Sequence, residues 1–312
     1  MQPGGSPDPA PPSLTRRGAM LLFAVVVLAW GINWPVTKAM LWDVTPLWTV
    51  TIRSAAGAVA LLVITLARGA LVLPRRGDLP VVANIALLHM VGFSALVAIG
   101  LQFVPAGRAV VLGYTTPLWV APAAWLLLGE RLTAARVVGI ALGLAGIAVM
   151  FNPAAFDWHD RAALIGNGAI LLAAVSWAAS IVHVRAHRWI ATPFQLVFWE
   201  VLLATAVLAG LALALEGWPS IDWHPSLVLL FVYGGVFGIA LAYWAMAMVN
   251  RSLPAITTSI GILATPLVGT LCSVLALGET AGAALLGGMA LIAGGIALGT
   301  LAQRSQNGET LR

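Results

Sequence analysis

Polar and aromatic side chains recur at helical spacing inside apolar stretches, where they could surround a small molecule. In the first such stretch, four residues at spacing i, i+3, i+4 and i+7 share one helix face: Trp30, Asn33, Trp34 and Thr37. Lipid disfavours an Asn side chain, so this face should point inward. Tryptophan combines broad apolar contact with one hydrogen-bond donor, which suits an amphipathic substrate. Ordinary helix packing is the alternative.

Three other apolar stretches carry similar faces. They comprise His89, Gly92, Phe93, Leu96 and Gly100, then Trp177, Ser180 and His183, then Tyr233, Phe237 and Trp244 with Tyr243 beside them. Any one stripe could be plain core packing, but four in one bundle favour a cavity. The predicted substrate cavity is formed by Trp30, Asn33, Trp34, Thr37, Lys38, His89, Phe93, Tyr114, Trp177, Ser180, His183, Tyr243 and Trp244.

Two charged residues, Arg53 and Glu200, lie inside apolar stretches rather than at their ends. A charge at the bilayer centre costs roughly 2.5–3.5 kcal/mol, so neither side chain should face lipid. The two could form an ion pair if the arginine stretches, or Glu200 could be protonated and take part in proton coupling. Lys38 could snorkel to the nearby interface or meet a substrate carboxylate.

Prolines interrupt three apolar stretches, at Pro35, Pro117 and Pro266. Proline removes a backbone hydrogen bond and crowds the carbonyl four residues earlier, so each should bend its helix. Thr116-Pro117 and Thr265-Pro266 occupy matching positions, and paired interruptions in corresponding helices point to a transporter's site. We predict that the prolines act as hinges for alternating access, with static kinks as the alternative.

The sequence lacks the residue constellations of an enzyme or a metal protein. Its single cysteine, Cys272, excludes a disulfide framework and a cysteine-based metal site. The histidines show no metal-ligand spacing, and no glycine-rich phosphate loop is present. The net charge of +5 comes from arginines between apolar stretches, which topology explains better than nucleic-acid binding does. We expect no catalytic activity, metal, cofactor or nucleic-acid partner.

Composition predicts that the chain lies in a lipid bilayer. Hydrophobic residues make up 61% of it and charged residues 9%, and the mean hydropathy is +0.97. A soluble domain carries about a quarter charged residues, so too few are present here to cover a soluble surface. Because a span needs roughly 20 apolar residues, we predict ten helices, near 18–39, 45–67, 79–103, 106–128, 134–151, 163–185, 193–215, 225–249, 254–277 and 281–302.

The placement of arginines predicts the orientation of these spans. With the N-terminus inside the cell, most arginines fall in cytoplasmic segments, and only Lys38, Arg108 and Arg161 fall in outer ones. This is the bias that the positive-inside rule expects. We therefore predict a multi-pass protein of a bacterial inner membrane with both termini in the cytoplasm. Residues 1–15, rich in Pro, Gly and Ser, should be a disordered tail, and residues 303–312 a second tail.

An internal repeat relates the two halves. Residues 105–150 align without gaps onto residues 254–299, which places Thr-Pro-Leu over Thr-Pro-Leu and Gly-Glu over Gly-Glu. A weaker alignment places Trp30 on Trp177, Lys38 on Arg185 and Arg53 on Glu200. Each half holds five spans, an odd number, so the second half should enter the membrane upside down, as in many secondary transporters.

We therefore predict an all-α integral membrane fold of two inverted five-helix repeats, residues 18–151 and 163–302. The fifth and tenth spans are rich in glycine, which lets helices approach closely. That packing could lie within one chain or between the two chains of a homodimer. A duplicated scaffold with no path through it is the alternative to a transporter.

The repeated block resembles the EamA domain of the drug/metabolite transporter superfamily. Thr-Pro-Leu, followed twelve residues after the proline by Gly-Glu and then by a glycine-rich helix, occurs twice. Trp30-Gly31 and Arg53 also fit that pattern. The resemblance implies a ten-helix carrier with both termini in the cytoplasm, and the aromatic residues look most like those of the bacterial aromatic amino-acid exporters.

From these observations we predict a secondary transporter that exports small amphipathic metabolites, aromatic or neutral amino acids above all, through a cavity at mid-depth between the repeats. Efflux of drugs or toxic cations and exchange of phosphorylated sugars or nucleotide sugars are alternatives within transport. A membrane enzyme and a scaffold are more distant ones, since no catalytic constellation and no long loops are present. The expected partners are a small-molecule substrate and the lipid bilayer.

Overall fold

Helices form the regular structure of the computed structural model, which describes residues 14–130, 132–151 and 159–309. Eight helices are long and apolar enough to cross a membrane, and two shorter apolar helices lie at residues 134–150 and 264–277. This confirms the prediction of an all-α membrane fold. The predicted N-terminal tail lies outside the described residues except for its last two, and residues 310–312 also lie outside them.

The helices follow the ten predicted spans in order. They are α1 (Arg16–Met40), α2 (Pro46–Ala67), α3 (Leu79–Leu101), α4a (Ala106–Gly113), α4b (Thr116–Leu128), α5 (Ala134–Phe151), α6 (Arg161–Ala186), α7 (Pro193–Leu215), α8 (Pro225–Ser252), α9a (Ala255–Gly261), α9b (Ala264–Leu277) and α10 (Ala283–Glu309). The last helix continues past residue 302, where we had predicted the tenth span to end.

Local sequence explains where several helices begin. Thr15 and Asp160 accept a hydrogen bond from the first turns of α1 and α6, which satisfies one otherwise unpaired N–H group in each. Thr192 and Gln195 form a capping box at the start of α7. Proline follows the cap in α2, α7 and α8, where its missing N–H has no cost.

Two corresponding helices contain π-helical segments near their middles. The segment in α3 spans Ile85–Phe93, and the segment in α8 spans Tyr233–Leu241. A π-helical turn holds more residues than an α-helical one, so it rotates the following residues to a different face. Such segments are frequent at functional sites. Their occurrence at matching places in both halves indicates that the repeat includes this irregularity.

The fourth and ninth spans are both broken just before or at their Thr-Pro pairs. Helix α4a ends at Gly113 and α4b begins at Thr116, while α9a ends at Gly261 and α9b begins at Ala264. A proline cannot donate to the preceding turn, so an interruption at this point follows from the sequence. The two spans are therefore discontinuous helices at matching positions.

Helices α5 and α10 pack together through glycines at backbone distance. A Cβ atom placed on Gly139 would lie 2.5 Å from the carbonyl oxygen of Gly295, and one on Gly146 would lie 2.6 Å from that of Gly288. Only glycine allows this approach. The glycine-rich spans thus pack within one chain, and a homodimer stays a prediction.

The other helices interlock the two halves. Helix α2 packs on α7, α1 packs on α9b, and α6 packs on α4b. The outward faces carry exposed Leu, Val and Ile side chains, for example on α2, α6 and α7. In water such a surface would be unstable, whereas in lipid it costs nothing.

The repeated Gly-Glu pair ends α4b and α9b in the same way. Gly129 and Gly278 both have a backbone φ of +67°, a left-handed conformation that favours glycine. The amide N–H of the following Glu130 or Glu279 then donates back to a carbonyl of the helix. The pair therefore stops each helix and places a carboxylate just beyond its end.

Candidate functional site

A cavity of about 110 Å³ lies between the two halves, and seven of the ten spans contribute to its wall. Ten of the residues that the sequence singled out line it: Trp30, Asn33, Trp34, Thr37, Arg53, His89, Phe93, Tyr114, Trp177 and Tyr243. The first span supplies four of them, so the helix face predicted from spacing lines this cavity.

Aromatic rings form a connected cage around the cavity. The His89 imidazole stacks on the Trp177 indole, with ring centroids 5.0 Å apart and planes at 4°. Phe93 and Tyr114 meet the same indole edge to face at 5.2 and 6.1 Å. Tyr243 contacts His89 and joins it to Trp30, with centroids at 6.2 and 6.1 Å. Edge-to-face and stacked pairs hold one another in place, so the wall is preorganised for a flat apolar group.

Trp34 fixes one side of this cage at the break in the fourth span. Its indole contacts Phe93 and Tyr114, with centroids at 6.3 and 6.4 Å. A Cβ atom on Gly113 would lie 2.5 Å from Cη2 of Trp34, so glycine at this position leaves room for the ring. The break between α4a and α4b therefore borders the cavity directly.

A polar chain runs along the cavity from α2 to α1. Arg53, only 8% exposed, donates from Nη1 to the Thr37 hydroxyl at 2.8 Å, and that hydroxyl donates to the Asn33 carbonyl at 2.7 Å. Arg53 Nε and Asn33 Oδ1 are buried and have no hydrogen-bond partner among the described residues. Both residues line the cavity, although the two atoms themselves are covered, and Asn33 Oδ1 lies against Gly238. Each atom would gain a partner from a ligand once a small movement of the wall exposes it.

Of the two arrangements that the sequence left open for Arg53 and Glu200, the ion pair does not form in the described part of the chain. Glu200 is buried, does not line the cavity, and leaves Oε1 without a partner. Arg53 extends instead toward Thr37 on α1.

Four residues assigned to the cavity by sequence lie elsewhere, and for three of them the reason is a different partner. Lys38 Nζ donates to the carbonyls of Leu101 and Val104. The Ser180 hydroxyl donates to Asn84 Oδ1 at 2.9 Å. The Trp244 ring lies under the Arg68 guanidinium at 5.0 Å. His183 lies in the last turn of α6, where its side chain is exposed.

The three predicted hinge prolines do not line the cavity. Pro35 is buried inside the continuous helix α1. Pro117 and Pro266 follow the breaks in the fourth and ninth spans, as the second residue of α4b and the third of α9b. Their positions agree with joints in these helices, while hinge motion stays a prediction.

Sequence reasoning missed about half of the cavity wall. The missed residues are Val50, Ser54, Met90, Ser94, Val97, Leu101, Val201, Leu208, Gly238 and Ile239. On α3 the sequence had assigned Leu96 and Gly100 to the face of His89, but Val97 and Leu101 take those places. The π-helical segment shifts the helical phase by about one residue. Gly92 and Gly100 face α6 instead, at Ser176 and Ile170.

The described residues contain no group of three or more His, Cys, Asp or Glu side chains able to hold a metal ion. Among its lining residues the cavity offers one guanidinium, one amide, the hydroxyl groups of Thr37, Ser54 and Ser94, and a cage of rings. Such a site can bind a small ligand, while the helix breaks and π-helical segments around it provide places where the wall could rearrange.

Comparison with known proteins agrees with this architecture. The chain matches the EamA-like transporter family over residues 17–152 and again over residues 164–301. It is 29% identical to the uncharacterized transporter YvbV of Bacillus subtilis over 94% of this chain and 95% of that protein. It is 30% identical to the aromatic amino acid exporter YddG of Ancylobacter novellus over 92% of this chain and 96% of that protein.

A solved crystal structure superimposes with a TM-score of 0.65 at 25% identity, covering 94% of this chain and 99% of the other. The two family matches cover most of the chain, one in each half of the helix bundle. The chain therefore belongs to the EamA-like transporter family of the drug/metabolite transporter superfamily, and it is a multi-pass membrane protein.

Proposed function

We propose that this protein is a secondary transporter that exports amino acids with aromatic or other neutral side chains through the cavity between its halves. One observation carries the proposal: a cage of aromatic rings adjoins an unpaired guanidinium donor and an unpaired amide acceptor. The similarity to an aromatic amino acid exporter over nearly the whole chain supports it.

An amino-acid zwitterion complements the polar side of the cavity. Its carboxylate could accept from Arg53 Nε–H, which is buried and unpaired. Its ammonium group could donate to Asn33 Oδ1, which is also buried and unpaired. Charge-assisted hydrogen bonds of this kind contribute about 1.5–3 kcal/mol each. The aromatic side chain would then lie among the rings of His89, Phe93 and Trp177.

The alternatives within transport have less support from the cavity wall. A sugar phosphate or nucleotide sugar would need several cationic groups, and Arg53 is the only Lys or Arg among the described lining residues. A cationic drug would need a carboxylate facing it, and the described lining includes none. We therefore propose a carrier for zwitterions, with transport rather than catalysis as its activity.

We also propose that the two halves, residues 18–151 and 163–302, are inverted repeats in a bacterial inner membrane, with both termini in the cytoplasm. The carboxylate of Glu279, just after the end of α9b, binds the backbone at the start of α4a, which supports an antiparallel arrangement of these two corresponding spans. The arginine bias supports the orientation. Reporter fusions at residues near the two ends should both report the cytoplasm, and opposite locations would rule the arrangement out.

The experiment that tests the function is uptake by proteoliposomes that contain the purified protein. Labelled tryptophan, phenylalanine, leucine, a tetraalkylammonium ion and a sugar phosphate are offered in turn, with and without a proton gradient. We expect saturable uptake of the aromatic amino acids, and a strong loss in Trp177→Ala. Trp244→Ala is the matched control, because that indole lies outside the cavity. Uptake of only the cation or the sugar phosphate would contradict the proposal.

A further inference from the structure

The segment that connects α3 to α4a begins at a residue of the cavity wall, and two charged side chains bind its backbone. Leu101, the last residue of α3, lines the cavity. Lys38 Nζ donates to the carbonyls of Leu101 and Val104, at 2.5 and 2.8 Å. The Glu279 carboxylate accepts from the amides of Ala106 and Gly107, at 2.7 and 2.9 Å. The segment from Leu101 to Gly107 is thus fastened at both of its ends.

These two side chains come from different halves of the chain. Lys38 belongs to the last turn of α1, and Glu279 follows α9b. They also lie within electrostatic range of each other. Because Lys38 and the segment both belong to the first half, movement of the halves relative to one another would act on the segment through the Glu279 contact.

The corresponding residues at the opposite end of α4 have a different arrangement. Glu130 corresponds to Glu279 and Arg185 to Lys38 in the repeat. There the Glu130 carboxylate forms ion pairs with Arg185 at 3.2 Å and Arg136 at 3.3 Å. One structure therefore contains two arrangements of the corresponding charges. Lys38 and Glu279 both bind the backbone of one segment, whereas Arg185 and Glu130 form an ion pair with each other.

Two further carboxylates, one from each half, also bind backbone N–H groups at or just before the start of a helix. Glu216 accepts from the backbone N–H groups of Leu47 and Trp48 at the start of α2. Asp78 accepts from the backbone N–H groups of Ile190 and Ala191 just before α7, at 3.1 and 3.0 Å. Each half therefore supplies one carboxylate that binds backbone of the other half, whereas the matched residues Glu279 and Glu130 make different contacts.

We propose that Lys38 and Glu279 form a latch that keeps the segment from Leu101 to Gly107 closed over the cavity. Opening at this end releases the segment, and the two side chains then pair with each other, as Arg185 and Glu130 do at the other end. The ion pair provides each charge with a partner after the backbone groups have left, which keeps the open state accessible. The inference rests on transport through the cavity and does not depend on which substrate is carried.

A cysteine reporter tests the latch without any substrate. Ser94 lines the cavity, so Ser94→Cys in a Cys272→Ser background offers one thiol there. Membrane vesicles of each orientation are treated with a membrane-impermeant maleimide, which reaches the thiol only through an opening at the exposed face. Removing the latch shifts the equilibrium toward the state that is open at the face where α1 ends.

We expect Glu279→Gln and Lys38→Met each to raise the labelling rate from that face about tenfold. Each variant removes two charge-assisted hydrogen bonds of the closed state, whereas the ion pair it removes from the open state faces solvent and contributes less. Glu279→Asp keeps the charge with a shorter reach and should give a smaller rise. Glu216→Gln is the matched control, because this carboxylate also binds backbone N–H groups but at the start of α2 rather than in the segment from Leu101 to Gly107. It should leave the labelling rate unchanged.

Three results would overturn the latch. The first is an unchanged labelling rate in both Glu279→Gln and Lys38→Met. The second is an equal rise in Glu216→Gln, which would mean that any loosened carboxylate opens the cavity. The third is a rise from both faces of the membrane, which a misfolded protein would give and a one-sided latch would not. Failure of the amino-acid uptake assay would leave the latch result untouched, so the two proposals fail separately.

Discussion

The two halves of this transporter share a scaffold but contribute different chemistry to the cavity. Both contain a span broken at Thr-Pro, a π-helical segment and a helix ended by Gly-Glu. Yet Asn33 lines the cavity, whereas its counterpart Ser180 binds Asn84. Arg53 lines it too, whereas its counterpart Glu200 does not. The two halves therefore share an architecture, and under the proposed function the recognition of charge falls to the first half.

The second half supplies mainly apolar wall. Its lining residues are Trp177, Val201, Leu208, Gly238, Ile239 and Tyr243. Of these, only the indole N–H and the phenol hydroxyl can form hydrogen bonds through a side chain. Substitution of a polar lining residue in the first half should therefore alter which ligands are transported. Substitution of a scaffold residue should alter stability or transport rate, and the effect should be similar whichever half carries it.

The largest difference between the halves should appear at Arg53 and Glu200. Arg53→Met removes the unpaired donor from the cavity, so uptake at low substrate concentration should fall about 10- to 100-fold, the worth of one charge-assisted hydrogen bond. Glu200→Gln keeps the shape of a side chain outside the cavity wall, so uptake should stay within a few-fold of wild type. Initial rates in proteoliposomes measure both. An equal loss of uptake in the two variants would contradict the proposed difference between the halves.

Glycine contacts between α5 and α10 should be equally sensitive in both halves. Gly139→Ala and Gly295→Ala each place a methyl group against backbone of the other helix, and each should destabilise the protein by about 1–3 kcal/mol. Thermal unfolding in detergent measures this. Gly168→Ala is the control, since no atom of a neighbouring helix lies within 4 Å of the position that its methyl group would take. A destabilisation confined to one half would show that the scaffold is less symmetric than we propose.

The breaks in the fourth and ninth spans should affect rate more than stability. Pro117→Ala and Pro266→Ala restore an amide donor at each joint, which favours a continuous helix and should slow transport by a few-fold. The yield of folded protein should remain near that of wild type. Size-exclusion profiles and uptake rates separate the two effects. Unchanged uptake in both variants would make the joints static kinks.

The smallest expected effect concerns Asp78, which fastens the loop before α7 as Glu216 fastens α2. Burial raises the pKa of Asp78, but hydrogen bonds from Ile190, Ala191 and His187 outweigh it, so the pKa lies below its ordinary value. A lowered folded-state pKa stabilises the protein fully above the unfolded value, about 3.9, and that contribution is lost as the pH falls through the folded value.

The melting temperature of wild type should therefore exceed that of Asp78→Asn by a constant margin from neutral pH down to about pH 4. Below this pH the margin should shrink as the native carboxylate takes up a proton. Melting curves of both proteins over this range give the comparison. A margin that persists unchanged into the acid range would show that the hydrogen bonds of Asp78 do not depend on its charge.

The features that could be predicted from the sequence are those that periodicity and local chemistry determine: the spans, the joints and the inward face of a regular helix. Runs of apolar residues located the spans, and the proline rule located the joints in the fourth and ninth. The face of α1 from Trp30 to Thr37 was predictable because that helix is regular, so the spacing of side chains translates directly into a direction.

What sequence could not predict depends on contacts between distant segments. The π-helical segment of α3 moves Val97 and Leu101 into the cavity, and no local signal marked it. Lys38 and Ser180 have suitable chemistry for a cavity but find partners on α3 and in the segment after it. Tertiary packing determines which hydrogen-bond partner each side chain finds, and a single sequence does not show that packing.

The central claim is that the aromatic cavity binds the transported amino acid, and substrate protection of the Ser94→Cys reporter tests it most directly. Tryptophan at saturating concentration should slow maleimide labelling of Cys at position 94 severalfold, because ligand and reagent compete for one space. Ser226→Cys, at an exposed position, should label at the same rate with or without tryptophan. If tryptophan is transported and yet leaves labelling at position 94 unchanged, the substrate binds elsewhere and the aromatic cavity is not the transport site.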